Sequence, residues 1–245
     1  MLSDIHGFYT LLRQTLHEAG YDSDPGEKRL LLLGDLLDRG REPEEMQDFL
    51  LSGLESDQLI LIRGNHEDLF AALVTEDHGR ALRHHVHNGT YETLQRLTGL
   101  EAGSFLCSGR ALAQAGRATP FYRRILPATL DYYETPHYIF THGWLPSVQE
   151  DGQWRYEPDW REAEPERWRR ARWLNGMDAA RCAYPPGKTV VCGHVHCSYG
   201  HWRYEGKGSE YGPDADFSPY RAPGVIALDA CTAISGKMNC LVIED

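Results

Sequence analysis

Leu30-Leu31-Leu32-Leu33 runs straight into Gly34-Asp35-Leu36-Leu37-Asp38-Arg39-Gly40, and a short apolar run broken by glycine and polar side chains recurs along the sequence. Leu30 to Leu33, Leu59 to Ile62, Tyr138 to Thr141, Thr189 to Cys192, Val225 to Leu228 and Cys240 to Ile243 are too short for helices and read as buried strands. Between them, Phe8 to Ala19, Glu42 to Leu54, Thr90 to Leu97 and Glu164 to Leu174 have helical spacing, with Pro43 where a first turn tolerates proline. Strands alternating with helices predict an α/β fold. Tyr199 to Pro223, rich in Gly, Tyr, Pro and Asp, reads as a long loop or irregular hairpin, and Asn88-Gly89-Thr90 as a helix start.

The polar residues at the strand ends form a series: Ser3-Asp4-Ile5-His6-Gly7, Gly34-Asp35, Gly64-Asn65-His66-Glu67, Thr141-His142-Gly143 and Gly193-His194-Val195-His196. In an open α/β sheet the carboxyl ends of the strands lie along the edge where ligands bind, so these distant segments are expected to converge. Asp, Asn and His offer oxygen and nitrogen donors suited to Mn, Fe or Zn, not to a soft thiolate site.

A chain of 245 residues is long enough for one large domain, and no composition shift divides 1–245. Its 36 acidic and 25 basic residues give a net charge of -11, which disfavours loose binding to nucleic acid. The six cysteines, Cys107, Cys182, Cys192, Cys197, Cys231 and Cys240, form no CxxC pair, and no basic-then-apolar leader opens the chain. A reduced cytoplasm is the expected setting. No apolar run approaches the roughly 20 residues that span a bilayer, so no membrane partner is expected.

The five motifs, in this order, resemble those of the calcineurin-like metallophosphoesterases. GDxxDRG followed by GNHE and HG is similar to the PPP-type serine/threonine protein phosphatases of bacterial and phage type. The resemblance implies an α/β/β/α sandwich of two central mixed sheets flanked by helices. It also implies two divalent metal ions, manganese first, with iron or zinc as alternatives. Asp4 and His6 would bind the first ion, Asp35 would bridge both, and Asn65, His142 and His194 would hold the second. His196 is used on the first metal by relatives that carry GHxH, and is assigned there. A metal-bound hydroxide would attack phosphorus directly, His66 would protonate the leaving oxygen, and Asp38 would orient His66. Arg39 and Arg63 would grip phosphate oxygens, with a further arginine drawn from Arg169, Arg170 or Arg172. The implied activity is phosphomonoester hydrolysis, with phosphoserine or phosphothreonine in proteins as the leading substrate. A symmetrically cleaving dinucleoside tetraphosphate hydrolase is the close rival, and an inactive metal-binding interaction protein the rival of a different class.

Blander readings compete residue by residue. Asp4, Asp35 and Asn65 are also good helix caps, His142 alone would more often be a core histidine, and His66-Glu67-Asp68 resembles an exposed charged turn. Taken jointly with the histidines, those readings fail. Gly187-Lys188-Thr189 imitates the end of a P-loop, but Cys182 stands where the first glycine belongs and a strand follows where a helix is needed. His84, His85 and His87 read as a solvated helix face, and Trp168, Trp173 and their arginines as an amphipathic helix. Two departures from the family stand out. Only Met1-Leu2-Ser3 precede Asp4, which predicts a truncated or very short central strand, and Trp144 replaces the usual second glycine after His142. Beside His142 an indole is expected to narrow the substrate mouth or stack a base.

Overall fold

The computed structural model describes residues 1–23, 28–75, 82–100 and 109–244; Cys107 falls outside them. In chain order the first half holds α1 (Tyr9–Glu18), β1 (Leu30–Leu33), α2 (Pro43–Glu55), β2 (Leu59–Ile62), α3 (Asn65–Thr75), α4 (Leu82–His87), α5 (Thr90–Thr98) and α6 (Gly109–Gly116). The second half holds β3 (Tyr133–Glu134), β4 (Tyr138–Phe140), β5 (Ser147–Glu150), β6 (Gln153–Tyr156), α7 (Pro165–Ala171) and α8 (Gly176–Cys182). It ends with β7 (Thr189–Cys192), α9 (Cys197–Glu205), β8 (Tyr220–Ala222), β9 (Val225–Ala227) and α10 (Thr232–Ser235).

Two sheets pack face to face. In one, β1 and β2 pair in parallel, Leu30 opposite Leu59 through Leu33 opposite Ile62, flanked by single parallel bridges from Leu2 to Leu32 and from Leu130 to Ile62. The other has five strands in the order β3-β4-β7-β9-β8, parallel at its centre and antiparallel at both edges. All four leucines of β1 are buried because each face has a partner. Leu31, Leu33 and Ile62 meet Phe140, Val191, Ile226 and Leu228 between the sheets. Leu30 and Leu32 turn outward to pack with residues of α1, α2 and α3. On the far side, Ile139, Val190, Cys192, Val225 and Ala227 pack against Trp168 and Ala171 of α7 and Met177, Ala179 and Ala180 of α8. Alternate residues of each buried strand thus serve different layers, as period-two side chains must. The result is an α/β/β/α sandwich whose five-stranded sheet is mixed and whose smaller sheet is parallel among the described residues.

Several sequence expectations are corrected. Cys240 to Ile243 is not a strand; it is irregular chain whose Leu241 exchanges backbone hydrogen bonds with Met1 at 2.9 and 2.7 Å. Tyr199 to Pro223 is not one long loop, since it holds most of α9 and all of β8. The α9 helix escaped notice because Cys197, Ser198, Gly200 and His201 form its buried face, a set with almost no apolar signal. The central strand before Asp4 reduces to one bridge, yet Leu2 is 0 % exposed and exchanges hydrogen bonds with Leu31 and Leu33. His85 is buried, unlike exposed His84 and His87. Trp144 is 1 % exposed and sits in the core behind the five-stranded sheet, so it does not line a substrate mouth. Its position is open because Gly176 packs against the ring; a Cβ there would stand 3.1 Å from Trp144 Cε3.

Candidate metal centre and active site

The loops after β1, β2, β4, β7 and β9 meet at one edge of the sandwich, where the segment after Leu2 joins them. Close backbone approach is what brings them together. Gly34 has φ +83°, and a Cβ there would lie 2.6 Å from Gly64 N and 2.7 Å from His142 Nδ1, so the Gly34-Asp35 and Gly64-Asn65 turns stack back to back. Asp4, His6, Asp35, Asp38, Arg39 and His194 all have φ between +51° and +78°. Left-handed backbone costs a non-glycine residue about 1–3 kcal/mol, so its concentration on six residues of one edge marks a site held against local preference.

Two groups of ligand atoms lie within 4.8 Å of one another: His6, Asp35 and His66, and Asp35, His142 and His194. Asp35 belongs to both. Asn65 Oδ1 joins the second group, 2.8 Å from His142 Nε2 and 2.9 Å from His194 Nδ1. Asp4 stands beside the groups, its Oδ2 accepting the His194 backbone N–H at 3.0 Å and the Ser3 hydroxyl. His196 is not brought in. Its Nδ1 bonds Ser198 Oγ and its Nε2 bonds the Tyr211 hydroxyl, both at 2.8 Å, with Glu210 3.4 Å away. The chain leaves the His194 turn in extended backbone at His196, φ -60° and ψ 141°, which starts α9 and swings the ring toward the 208–211 segment.

The donor chemistry fits cations. His6 Nδ1 faces the Leu37 carbonyl at 3.1 Å and His142 Nδ1 the Leu33 carbonyl at 2.7 Å, so each neutral ring carries its proton there and turns the Nε2 lone pair inward. His194 likewise hydrogen-bonds the Trp173 backbone. The inward His142 lone pair then faces Asn65 Oδ1, acceptor against acceptor, an arrangement that a cation between them would satisfy. Burial, followed by the charge of His66, holds the His6 pKa well below its ordinary value; burial, followed by His194, does the same to His142. Burial lowers His194 to about 4. Burial raises Asp4, with the Asp229 and Asp35 charges adding to it, and burial raises Asp35 against the pull of His66. Neutral imidazoles and crowded, desolvated carboxylates are what a bound divalent ion compensates.

Around this centre lie the residues assigned to proton transfer and phosphate. His66 Nδ1 bonds Asp38 Oδ2 at 2.6 Å, and the Arg39 guanidinium reaches His6 Nε2 at 3.2 Å and His66 Nε2 at 3.3 Å. Burial opposes protonation of His66, but the Asp35 charge and the Asp38 hydrogen bond outweigh it and its pKa is raised. Arg63 is clamped by Asp68 at 2.7 Å, and Asp68 also binds Arg172 at 2.7 Å, while the other arm of Arg172 meets Asp131. Of the three candidate arginines, Arg172 is the one at the site; Arg169 and Arg170 pair with Glu166 on the outer face of α7.

Three residues escaped the sequence reading. Glu67, 1 % exposed, accepts the backbone N–H groups of Asp35, Leu36 and Gly64 at 2.7–2.9 Å and so ties two of the turns together. Burial, then the Asp35 charge, raises its pKa to about 7. Asp229, raised by burial to about 6, approaches Asp4 from the end of β9. Its signal was present, since Val225 to Leu228 ends on an aspartate as the other runs do. Trp173 is 45 % exposed with its ring 5.6 Å from that of His194, and it occupies the mouth position expected of Trp144.

The sequence pattern of the family described as calcineurin-like phosphoesterase matches residues 1–198. Comparison with curated proteins finds no match. Among solved structures, one assigned as a diadenosine tetraphosphatase is 16% identical, with 95% of this chain and 82% of that one covered and a TM-score of 0.48. A cold-active protein-tyrosine phosphatase of a psychrophilic Shewanella species is 16% identical, covering 96% and 72%, with a TM-score of 0.49. A protein serine/threonine phosphatase of Saccharomyces cerevisiae is 15% identical, covering 79% and 59%, with a TM-score of 0.43. With 198 of 245 residues inside the family pattern and His/Asp ligand groups at the matching turns, the chain belongs to the calcineurin-like phosphoesterases, metal-dependent hydrolases of phosphoric esters.

Proposed function

We propose that the chain hydrolyses phosphomonoesters at two divalent cations, with phosphoserine or phosphothreonine in proteins as its substrate. The observation that supports this reading is the pairing of His66 with Asp38 at 2.6 Å directly beside the Arg39 guanidinium and both ligand groups. In this reading Asp4, His6 and Asp35 hold one ion, and Asp35, Asn65, His142 and His194 the other. Asp, Asn and His donors suit manganese, with iron or zinc as alternatives. When bound, the ions supply Lewis-acid charge and lower the pKa of water.

The chain's own residues do the rest. Arg39 meets phosphate oxygens with a planar fork, and Arg172 and Arg63, prepositioned by Asp68, add positive charge behind it. His66, whose pKa the Asp35 charge and the Asp38 hydrogen bond raise against burial, is the group placed to give a proton from Nε2 to the leaving oxygen once phosphate draws Arg39 away from that nitrogen. Asp38 holds the opposite nitrogen and so fixes which one faces the substrate. A reduced cytoplasm and no nucleic-acid partner complete the proposal.

One observation favours a second reading. Exposed Trp173 beside His194 offers a flat face to a substrate that carries a ring, as a dinucleoside tetraphosphate does. A panel of phosphopeptides and dinucleoside polyphosphates with added manganese separates the two. Preference for phosphopeptides by kcat/KM is expected, and preference for the dinucleotide would replace the first reading with the second. No turnover of any member, nor of an aryl phosphate, would leave only a metal-binding interaction protein.

A further inference from the structure

Asn88-Gly89-Thr90 does more than start a helix. Thr90 is 0 % exposed, and its hydroxyl donates to Asp38 Oδ2 at 2.6 Å, the same oxygen that accepts His66 Nδ1 at 2.6 Å. The other oxygen, Asp38 Oδ1, is buried and has no hydrogen-bond partner among the described residues. His66 and Thr90 are therefore the side chains that set the plane of this carboxylate, whose final torsion is otherwise soft.

The backbone supports the same contact. Asn88 N–H closes α4 on the His84 carbonyl at 3.0 Å, and the Asn88 side chain bonds that carbonyl again at 2.9 Å. Gly89 follows with φ +85°, and a Cβ on it would stand 2.6 Å from Arg39 N. The turn between α4 and α5 is thus pressed against Asp38-Arg39, which are themselves held at φ 78° and 61°. Only glycine permits that approach, and it delivers Thr90 at the first position of α5.

We propose that Thr90 is a positioning residue for proton donation: its hydroxyl holds the Asp38 carboxylate in the one orientation that aims His66 at the leaving oxygen. The proposal rests on reading His66 as the general acid. Two effects of the Thr90 bond oppose each other. By drawing charge from Asp38 it weakens the hold on the His66 proton, and by fixing the carboxylate it preserves the alignment. Alignment dominates, because among the described residues His66 and Thr90 are the side chains that donate to Oδ2, and a buried carboxylate left with His66 alone would turn toward any other partner it could find.

The test compares Thr90→Val, Thr90→Ser and His66→Asn in the manganese-loaded full chain, with bound metal counted in each. Substrates are an alkyl phosphate, which needs its leaving oxygen protonated, and p-nitrophenyl phosphate, which does not. Thr90→Val is expected to keep its metals and its KM and to lose kcat about tenfold on the alkyl ester, with little loss on the aryl ester. Thr90→Ser should restore the alkyl rate. A defect of packing alone would slow both substrates alike. Equal loss on both, or no loss while His66→Asn shows the alkyl-specific defect, overturns the proposal and spares the acid assignment. Absence of that defect in His66→Asn overturns both. If the valine variant fails to load metal, Thr90→Ala takes its place against Thr90→Ser, where recovery confined to the alkyl ester supports the role and equal recovery on both esters overturns it.

Discussion

Asp35 accepts the His66 backbone N–H at 3.0 Å and still reaches both ligand groups, which is the geometry the proposed bridge between two cations requires. Asp35→Asn is expected to lose bound metal and nearly all turnover while the circular dichroism of the fold persists, because an amide oxygen can keep the backbone contact. Two metals per chain in that variant would remove the bridge. His66→Asn should instead keep its metals and lose about 10²–10⁴-fold on alkyl phosphates, and much less on p-nitrophenyl phosphate. Individual candidate residues were legible where a turn follows an apolar run, which is why Asp35, Asn65, His142 and His194, which the structure brings together, could be named from the sequence. That His196 turns toward Ser198 and Tyr211, and that Trp144 is buried, could not be read in advance because a side chain's direction after a turn depends on backbone angles and neighbours that the sequence does not display. Glu67 and Thr90 went unnoticed for a related reason: their partners are 32 and 52 positions away.

Elements position these residues, and two contacts measure how firmly. Glu134 of β3 binds Arg161 at 2.7 and 2.9 Å and Lys188, just before β7, at 2.7 Å. The Arg161 hydrogen bond, against burial and with help from Lys188, lowers the Glu134 pKa from 4.5 to about 2. A depressed carboxylate stabilises the fold above its unfolded pKa and stops doing so as pH falls through the folded one. Glu134→Gln should therefore lower Tm at pH 7, with the gap to the parent closing between about pH 4.5 and 2. A gap independent of pH would show that the charge is not what matters. Gly34→Ala tests the stacked turns. Left-handed strain plus overlap with Gly64 should cost about 2–4 kcal/mol, a Tm loss of roughly 5–15 °C, and weaken metal retention as well. Elements were predicted well where apolar periodicity made them, as in β1, β2 and β7. An element was missed where polar or small residues are buried, as in α9, and one was predicted in excess where the apolar stretch Cys240 to Ile243 pairs with Met1 alone among the described residues.

At the scale of the whole molecule, the sandwich follows from strands that are apolar on both faces and helices that are apolar on one. The candidate site lies at a single edge, where irregular backbone gathers Asp, Asn and His from segments as distant as Asp4 and His194. Among the described residues no helix is long and apolar enough to cross a membrane. Since the cation positions exist only in the folded chain, manganese at about 100 times its Kd should stabilise it by about 2.7 kcal/mol, and a chelator should reverse the shift. An unchanged Tm would mean that the edge binds no metal. The most direct measurement is anomalous diffraction at the manganese edge from crystals grown with the metal. Two peaks on either side of Asp35, one toward His6 and one among Asn65, His142 and His194, are the predicted result. One peak, or peaks that leave Asp35 unshared, would contradict a two-cation hydrolase at this site.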